Sequence, residues 1–450
     1  MSQTSNSNQI LDADFGDHRR TRRAFEFSRA MERSPEKSLP HIFPRTPDLV
    51  AAYRFLNNKA VTPKTILQPH FDATASAVRA SEFSIIAHDT TALSFDGEVR
   101  TGMGRLVDGG MGLFAHVALA LDGPTGAPLG VMDLRTHIRD SKPKRALESQ
   151  RWLDGFRAVE ARIAAPGQAI HVMDREADAY PLLAALLAEK CRFVIRSKHD
   201  RKLMNGATMK SALVESECFL EREIPISRRG GSRLPATRKI HPPRSARTAR
   251  LSISSETLTI RRPRDANPTL PAQLTLTVVD VLEIDVPAGE KPIEWILLTT
   301  EPVHCAADAA RVVDIYRRRW TIEEYFKALK SGCAIEKRQL ESRAAIENML
   351  AMSMPIAWGL LVLRSQSRQS AESPARALTR RQRVVLRAML RVHRLNPLPP
   401  RPTARDEMFA VASLGGHIPW NGDPGWIVLG RGYHELIAAE TAWAAAKGEM

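Results

Sequence analysis

The spacing of apolar residues changes along the chain, and each change marks a different kind of predicted structure. Up to about residue 75 the apolar positions recur at helical spacing. From about Ser81 three strand-like runs follow, with turn signals between them: FSIIAHDTTALSF, GLFAHVALALD and PLGVMDLRTH. An amphipathic helix over residues 145–164 comes next, then a strand that ends at Asp174, a helix, and the strand RFVIRSK. The pattern predicts a three-stranded meander that continues into an α/β region.

This order of elements, with one further helix much later in the chain, is typical of a three-layer α/β plan and is the order of the ribonuclease H-like fold. Between about residues 202 and 292 the runs LSISSETLTI and QLTLTVVDVLEI predict an inserted antiparallel β subdomain. We therefore expect a helical head over 1–75, a ribonuclease H-like domain over 76–338 that carries the insertion, and a helical C-terminal domain over 339–450.

The late helix is predicted over Val312–Gly332, and its polar residues form a pattern that packing does not require. At about 100° per residue, four of them fall within about 60° of one another: Tyr316, Arg319, Glu323 and Lys330. A neighbouring apolar stripe would seat the helix on a core: Ile315, Ile322, Phe326 and Leu329. The helix would hold Glu323 at the edge of a site, whereas Glu324 lies about 100° away. The alternative is a surface helix with Arg/Glu pairs at helical spacing.

Composition narrows the class of protein. The net charge of +15 and the pI near 10.0 favour a polyanionic partner, with nucleic acid preferred over an anionic membrane. The N-terminus lacks the pattern of a signal peptide, and the apolar run 349–363 is too short to cross a bilayer, so we expect no membrane association and a cytoplasmic, nucleoid-associated protein. Four scattered cysteines argue against structural zinc, and we interpret them as packed free thiols: Cys191, Cys218, Cys305 and Cys333.

Two basic segments are candidate contacts with that partner. The first opens an amphipathic helix in the head and includes Arg19, Arg20 and Arg22. The second, residues 228–250, contains eight Arg or Lys residues and no acid, and includes Arg238, Lys239 and Arg244. Such a run is either a flexible loop that follows a phosphate backbone or a solvated loop, and the overall charge favours the first interpretation.

Two acidic residues are placed where a charge needs a partner, and a third lies on the late helix. Asp89 stands in the middle of an apolar strand, Asp174 stands at the end of another, and Glu323 lies on the late helix. A carboxylate in such a place must be paired or must bind a cation. Mg²⁺ takes oxygen ligands, and two such ions can promote phosphodiester displacement. His88 and His116 are more typical of residues packed within strands than of ligands.

These residues occur in motifs that resemble a known family. The chain is similar to the DDE transposases of bacterial insertion sequences, in the hairpin-forming group that includes the transposase of transposon five. The matching motifs extend from the head to the late helix: FGDHRRTRR, AAYRFLNN, HDTTALSF, MDREADAY, RFVIRSKH, EWILLTTEP, and Y-x2-R-x3-E-x6-K at Tyr316, Arg319, Glu323 and Lys330. Beyond about residue 345 only fragments such as ASLGGH match, and residues 94–112 and the basic run differ from the family.

The resemblance implies a role for each matching residue. Asp89, Asp174 and Glu323 would hold two Mg²⁺ or Mn²⁺ ions, and Trp295 would receive a base flipped from the helix when the DNA bends into a hairpin. The expected DNA contacts are the polar residues of the late helix, residues of the strand RFVIRSK and the two basic segments: Tyr316, Arg319, Lys330, Arg196, Lys198, Arg19, Arg20, Arg22, Arg238, Lys239 and Arg244. The expected partners are the element ends, target DNA and a second copy that dimerises through the C-terminal domain.

Other functions fit parts of this pattern. A catalytically silent DNA-binding regulator would keep the basic head but would not need all three acids. A stand-alone nuclease of the same fold would need the acids but neither the head nor Trp295, which could also be a core residue on its strand. A DNA transposase accounts for all of these features together.

Overall fold

The structure is a computed structural model, and it describes residues 9–95, 100–106, 109–138, 145–214, 216, 218–226, 228, 230, 242–368, 378–418, 420 and 422–448. Ten strands lie within these ranges: β1 Ser84–Phe95, β2 Gly104–Arg105, β3 Met111–Asp122, β4 Pro128–His137, β5 Ala169–Met173, β6 Arg192–Arg196, β7 Cys218–Ile226, β8 Arg247–Arg261, β9 Gln273–Ile284 and β10 Glu294–Thr299. The chain is therefore mixed α/β.

Helices dominate both ends of the described chain. The first four precede β1: α1 His18–Arg33, α2 Leu39–Ile42, α3 Thr46–Leu56 and α4 Pro63–Ala80. Three lie between strands: α5 Arg145–Ile163, α6 Tyr180–Ala188 and α7 Met209–Val214. The rest follow β10: α8 Ala306–Arg318, α9 Thr321–Lys327, α10 Arg343–Arg368, α11 Arg380–Val392, α12 Ala404–Leu414 and α13 Trp426–Ala446. The predicted helical head and the predicted element order after it are both observed.

The chain forms two compact units. The first unit comprises Met1–Leu147, Asp154–Gln168 and Trp320–Met450, and the second comprises Glu148–Leu153 and Ala169–Arg319. In the first unit β3 pairs antiparallel with both β1 and β4, which is the predicted meander, and the short β2 also pairs with β3. Helices α4 and α10 pack against β4 and bury its apolar side.

The strands of the second unit run in mixed directions. Its strands β5 and β6 are parallel, and β6, β10, β9, β8 and β7 then follow in antiparallel order. The antiparallel strands expected between residues 202 and 292 are therefore present, and β9 pairs directly with β10. The insertion extends the sheet to which β5 and β6 belong, because the apolar residues of β8 and β9 continue its core.

The late helix is not one straight α-helix, and this part of the prediction is wrong. Helix α8 ends at Arg318, α9 begins at Thr321, and the turn Ala328–Gly332 is π-helical. In a π turn the hydrogen-bonded donor and acceptor are five positions apart instead of four, so side-chain phases from this turn onward no longer follow 100° per residue. The apolar stripe is nevertheless buried as predicted, with Ile315, Ile322, Phe326 and Leu329 at most 7% exposed.

The longest apolar segment lies in α10, which contains Pro355. The segment Arg343–Ser365 is long and apolar enough to cross a membrane, but 78% of its most apolar stretch is buried inside the structure. It is a core helix, as predicted for residues 349–363. The interpretation of the cysteines as packed thiols is correct for Cys191 and Cys333, which are buried, and wrong for Cys305, which is exposed at the start of α8.

Candidate functional site

Asp89 lies at the centre of β1, opposite Val117 of β3. The residues before it on the strand are fully buried, and Asp89 itself is half-buried. Its Oδ1 accepts a hydrogen bond from the Thr90 backbone N–H at 2.7 Å. The adjacent His88 is fully buried and stacks on His116, with ring centroids 5.9 Å apart. Both imidazoles are packing residues of the strand pair, as the sequence indicated, and Asp89 is the half-buried acid of β1.

Glu323 lies in the first turn of α9, in the same unit as Asp89. Helix α9 packs against β1, so the elements that carry these two acids are in contact. Glu323 is half-buried. The neighbouring Glu324 points elsewhere: its carboxylate lies 2.7 Å from Lys327 Nζ and 3.6 Å from Arg364 Nε. Glu324 therefore has ion-pair partners of its own.

Lys330 ties the end of this helical segment to β1. Its Nζ donates a hydrogen bond to the Ala92 carbonyl oxygen at 2.5 Å and lies 3.5 Å from the Glu336 carboxylate. Glu336 in turn accepts a hydrogen bond from the Ser94 backbone N–H at 2.9 Å. The contact with Ala92 is three residues beyond Asp89 on the same strand. Lys330 and Glu336 thus fix the π turn on the strand that carries Asp89.

Asp174 lies in the second unit, directly after β5. Its Oδ1 accepts a hydrogen bond from the Glu176 backbone N–H at 2.8 Å and so caps a short 3₁₀ turn, Arg175–Ala177. The neighbouring parallel strand β6 ends at Arg196, whose guanidinium donates to the Glu294 carbonyl oxygen at 2.9 Å. Acid and base are therefore at the carboxyl ends of two adjacent parallel strands, where sites of α/β sheets assemble.

An aromatic pair lies in the same unit. The rings of Trp295 on β10 and Tyr316 on α8 are 5.6 Å apart with an interplanar angle of 59°. Trp295 is 9% exposed and Tyr316 is 2% exposed. Burial raises the pKa of Tyr316, the cations Arg319 and Arg196 oppose this shift, and the charge of Asp174 adds to it.

The charges of Arg319, Arg196 and Asp174 all affect the pKa of Tyr316. Asp174 is thus grouped with three of the predicted DNA-contact residues, Tyr316, Arg319 and Arg196. Arg319 is also buried, and its guanidinium carbon lies 6.0 Å from the centre of the Tyr316 ring. Trp295 is packed as a core residue would be, with a small part of its surface accessible.

Lys198 is exposed, but its backbone is held by a residue that the sequence analysis did not single out. Asp178 accepts a hydrogen bond from the Lys198 N–H at 2.7 Å, and its side chain is fully buried. The signal was available, because Asp178 is the second aspartate in MDREADAY. A buried acid four residues after a predicted ligand is a candidate for supporting it.

The basic residues of the head lie on α1. Arg19 and Arg22 are exposed, with Arg22 3.3 Å from Glu26, and Arg20 donates to the Phe15 carbonyl oxygen at 2.8 Å. Helix α1 is capped by Asp17, whose side chain accepts from the Arg19 backbone N–H. Burial is limited to the opposite side of the helix, so Arg19 and Arg22 are accessible to a partner.

The second basic segment differs in part from its predicted character as a loop. Arg238 and Lys239 lie outside the described residues, and Arg244 is half-buried. Arg247 and Arg250 belong to β8: Arg247 pairs with Glu283 at 2.9 Å, and Arg250 pairs with Asp285 at 3.1 Å. These two arginines are thus strand residues with acidic partners from β9 and its end, because antiparallel pairing brings distant acids opposite them.

The three predicted metal ligands supply the donor type that a hard divalent cation prefers. All three are half-buried carboxylates, with Asp89 and Glu323 in the first unit and Asp174 in the second. Within the described residues, no group of three or more His, Cys, Asp or Glu side chains is close enough to hold a metal ion. The shared ligation of metal by all three acids stays a prediction that the donor chemistry and the contact of α9 with β1 support.

Comparison with known proteins identifies the family. A family model described as Transposase DDE domain matches residues 84–358, more than half of the chain, and one described as Transposase DNA-binding matches residues 5–61. Among solved structures, the cryo-EM structure of the piggyBac transposase synaptic complex with hairpin DNA is similar at 12% identity, covering 81% of this chain and 71% of that chain. Its TM-score of 0.37 is too low to carry an argument. On the family matches, the chain belongs to the DDE transposases, and it is a DNA transposase that cuts and transfers DNA strands.

Proposed function

We propose that this transposase acts in the manner of the hairpin-forming group of bacterial insertion sequences, which includes the transposase of transposon five. The observation that carries the proposal is the contact of α9 with β1, because it brings the helix that carries Glu323 of the Y-x2-R-x3-E-x6-K motif against the strand of Asp89. The proposed domains are a DNA-binding head over 1–75, a ribonuclease H-like catalytic domain over 76–338 and a C-terminal dimerisation domain over 339–450.

Asp89, Asp174 and Glu323 are the residues that would hold two Mg²⁺ or Mn²⁺ ions. Such a pair of ions activates the attacking oxygen and stabilises charge on the leaving oxygen in phosphodiester displacement. The chain's own cations, Arg319 and Lys330 among them, would bind the phosphates at the cleaved end and fix the strand for in-line attack. Oxygen ligands half-buried at a strand centre, a strand end and a helix fit this role.

The proposed reaction proceeds in four steps at one DNA end. Water cleaves one strand and frees a 3′-OH. This hydroxyl attacks a phosphodiester of the opposite strand, the 3′-oxygen of the flanking DNA leaves, and the new bond closes a hairpin. A second water reopens the hairpin, and the 3′-OH then attacks a target phosphodiester and joins the element to new DNA. Hairpin closure requires sharp bending, which is eased when a base leaves the stack and is received by an aromatic side chain, here Trp295.

The partners follow from this reaction. Element ends and target DNA would bind the exposed cations of α1 and three residues of the second basic segment, Arg238, Lys239 and Arg244. A second copy would hold the other end in a synaptic complex. A protein that acts on chromosomal DNA in this way would work in the cytoplasm, in association with the nucleoid. The family match weighs against a stand-alone nuclease because it includes a DNA-binding model over residues 5–61.

The consecutive glutamates provide the test, because one is proposed as a ligand and the other has ion-pair partners. Glu323→Gln keeps the shape of the side chain but removes its charge, and we expect strand nicking to fall at least about a thousandfold, or about 4 kcal/mol of transition-state stabilisation. Glu324→Gln loses contacts with Lys327 and Arg364, each worth about 1 kcal/mol or less of stability at partly exposed positions.

The measurement is single-turnover nicking of a labelled duplex that carries the terminal repeat, with binding of the same duplex measured in EDTA. Both variants should bind the duplex as the unmodified protein does. The nicking rate of Glu324→Gln should be within about threefold of the rate of the unmodified protein. Equal losses of nicking in the two variants would refute the role of Glu323. An unmodified protein that binds but never nicks in Mg²⁺ or Mn²⁺ would instead support the silent regulator.

A further inference from the structure

Asp178 has the most heavily bonded buried carboxylate of the loops that follow β5 and β6. Its side chain is fully buried. One oxygen accepts hydrogen bonds from the Ser197 hydroxyl at 3.1 Å, the Lys198 N–H at 2.7 Å and the His199 N–H at 3.0 Å. The other oxygen accepts from the guanidinium of Arg201, which also donates to the Asp178 carbonyl oxygen at 3.1 Å.

This bonding joins two connections at one edge of the sheet. Strands β5 and β6 are adjacent and parallel, with Met173 opposite Ile195. Asp174 directly follows β5, and the segment 197–199 directly follows β6, so both lie at the carboxyl ends of their strands. Asp178, in the connection that begins with Asp174, binds the segment after β6. The Asp178 side chain therefore helps to hold that segment relative to Asp174, together with the hydrogen bond from the Ser197 N–H to the Ile296 carbonyl oxygen at 2.7 Å.

The bonds are more specific than neutralisation of a buried charge requires. Arg201 alone provides the opposite charge, yet the second oxygen binds two successive backbone N–H groups. Hydrogen bonds from backbone N–H groups to a carboxylate are stronger than those between neutral groups. They hold the backbone of Lys198 and His199 inward while both side chains remain exposed. The arrangement fixes where the Lys198 ammonium can reach.

We propose that Asp178 is a positioning residue of the transposase, which orients the segment 197–199 so that Lys198 meets a DNA phosphate beside Asp174. The inference rests on the proposed function, in which Lys198 contacts DNA. In this proposal Asp178 touches neither DNA nor metal. Instead, the contribution of Lys198 to DNA binding requires the Asp178 carboxylate.

The test is a double-mutant cycle read by the salt dependence of DNA binding. Binding of a labelled duplex carrying the terminal repeat is measured in EDTA between about 50 and 200 mM salt. Lys198→Ala should reduce the slope of log K against log salt by about 0.9, the value for one lost phosphate contact. Asp178→Asn should reduce the slope by a similar amount. The slope of the double variant should be no smaller than the slope of either single variant.

A matched control separates positioning from stability. Asp133 of the first unit is also a buried acid between two arginines, Arg135 at 2.8 Å and Arg162 at 3.1 Å. Asp133→Asn should lower the melting temperature and leave the slope unchanged. If Asp178→Asn does not fold, Ser197→Gly replaces it in the cycle, since it removes one bond to Asp178 and loosens the same segment.

Three results would overturn the inference. Additive slope changes in the double variant would mean that Asp178 and Lys198 act independently. A normal slope in Asp178→Asn, with Lys198→Ala reduced, would leave Asp178 with a structural role only. An unchanged slope in Lys198→Ala would remove the DNA contact itself, and the nicking comparison of Glu323 with Glu324 would still decide the proposed function separately.

Discussion

Replacing Trp295 by Ala should separate the hairpin step from the first nick. A base stacked on an aromatic ring is worth about 1 to 3 kcal/mol, which corresponds to roughly ten- to a hundredfold in rate. This stacking is needed only when the strand folds back to form the hairpin. The structure adds a second effect, because Trp295 is 9% exposed and packs on Tyr316 at 5.6 Å. Truncating a buried Trp costs about 3–5 kcal/mol of folding stability.

The two effects are separated by measuring a ratio of rates within one reaction. Nicked and hairpin products of a labelled terminal-repeat duplex are resolved on a denaturing gel during a single turnover. Loss of folded protein lowers both rates by the same factor, so the ratio of hairpin rate to nicking rate is unaffected by stability. We expect this ratio to fall roughly ten- to a hundredfold in Trp295→Ala, with accumulation of nicked ends.

Trp152 provides the matched control, because it is a buried Trp of the same unit at 1% exposure. Trp152→Ala should destabilise the protein to a similar extent and leave the ratio of rates unchanged. An unchanged ratio in Trp295→Ala would make Trp295 a core residue and would remove the main support for the hairpin route. An equal fall in both Trp variants would show that the ratio reports on packing of the unit.

Two further predictions concern charge. Neutralising Arg238, Lys239 and Arg244 together should reduce the salt slope of DNA binding by up to about 3 if each contacts a phosphate. Arg250→Gln, which loses ion pairs with Glu221 and Asp285, should not change the slope. An unchanged slope in the triple variant would make the segment a solvated loop. Burial lowers the pKa of His70 to about 4 in the folded protein, whereas the pKa in the unfolded chain is about 6.5. Between these two values the unfolded chain binds a proton that the folded protein does not bind. The free energy of unfolding should therefore fall by up to about 3 kcal/mol as pH drops from about 6.5 to about 4. Denaturant titration of His70→Gln should show a weaker pH dependence over that window.

Local sequence patterns predicted the elements around the site because the burial of each one is decided by its own side chains. β1 places Asp89 after a fully buried run, and β5 ends just before Asp174, as the apolar runs indicated. Alternation of apolar and polar residues indicates a strand with one face covered, and a continuous apolar run indicates a strand with both faces covered. Both patterns can be recognised without knowing which strands pair with it. The acids could therefore be found as charges at positions where burial makes a charge costly.

Partners that are distant along the chain could not be predicted in the same way. The basic segment 228–250 was judged by counting its charges, but Arg247 has Glu283 and Glu290 as partners, and Arg250 has Glu221 and Asp285. Glu221 and Glu283 come from neighbouring strands, and Asp285 and Glu290 lie in the connection after β9, so strand pairing decides which residues meet. Asp178 escaped attention for the same reason, since its bonds reach residues 19 to 23 positions later.

The late helix shows how a predicted motif can rest on an incorrect geometry. Lys330 was assigned to a polar stripe by counting 100° per residue, yet the π turn at 328–332 places its ammonium on the Ala92 carbonyl, next to Glu336. An ammonium group has three N–H donors, and the bond to Ala92 uses one. Lys330 can therefore hold the π turn on β1 and still offer donors to a phosphate. Because β1 carries Asp89 and α9 carries Glu323, the same side chain would fix the spacing of two acids and bind the DNA on which they act.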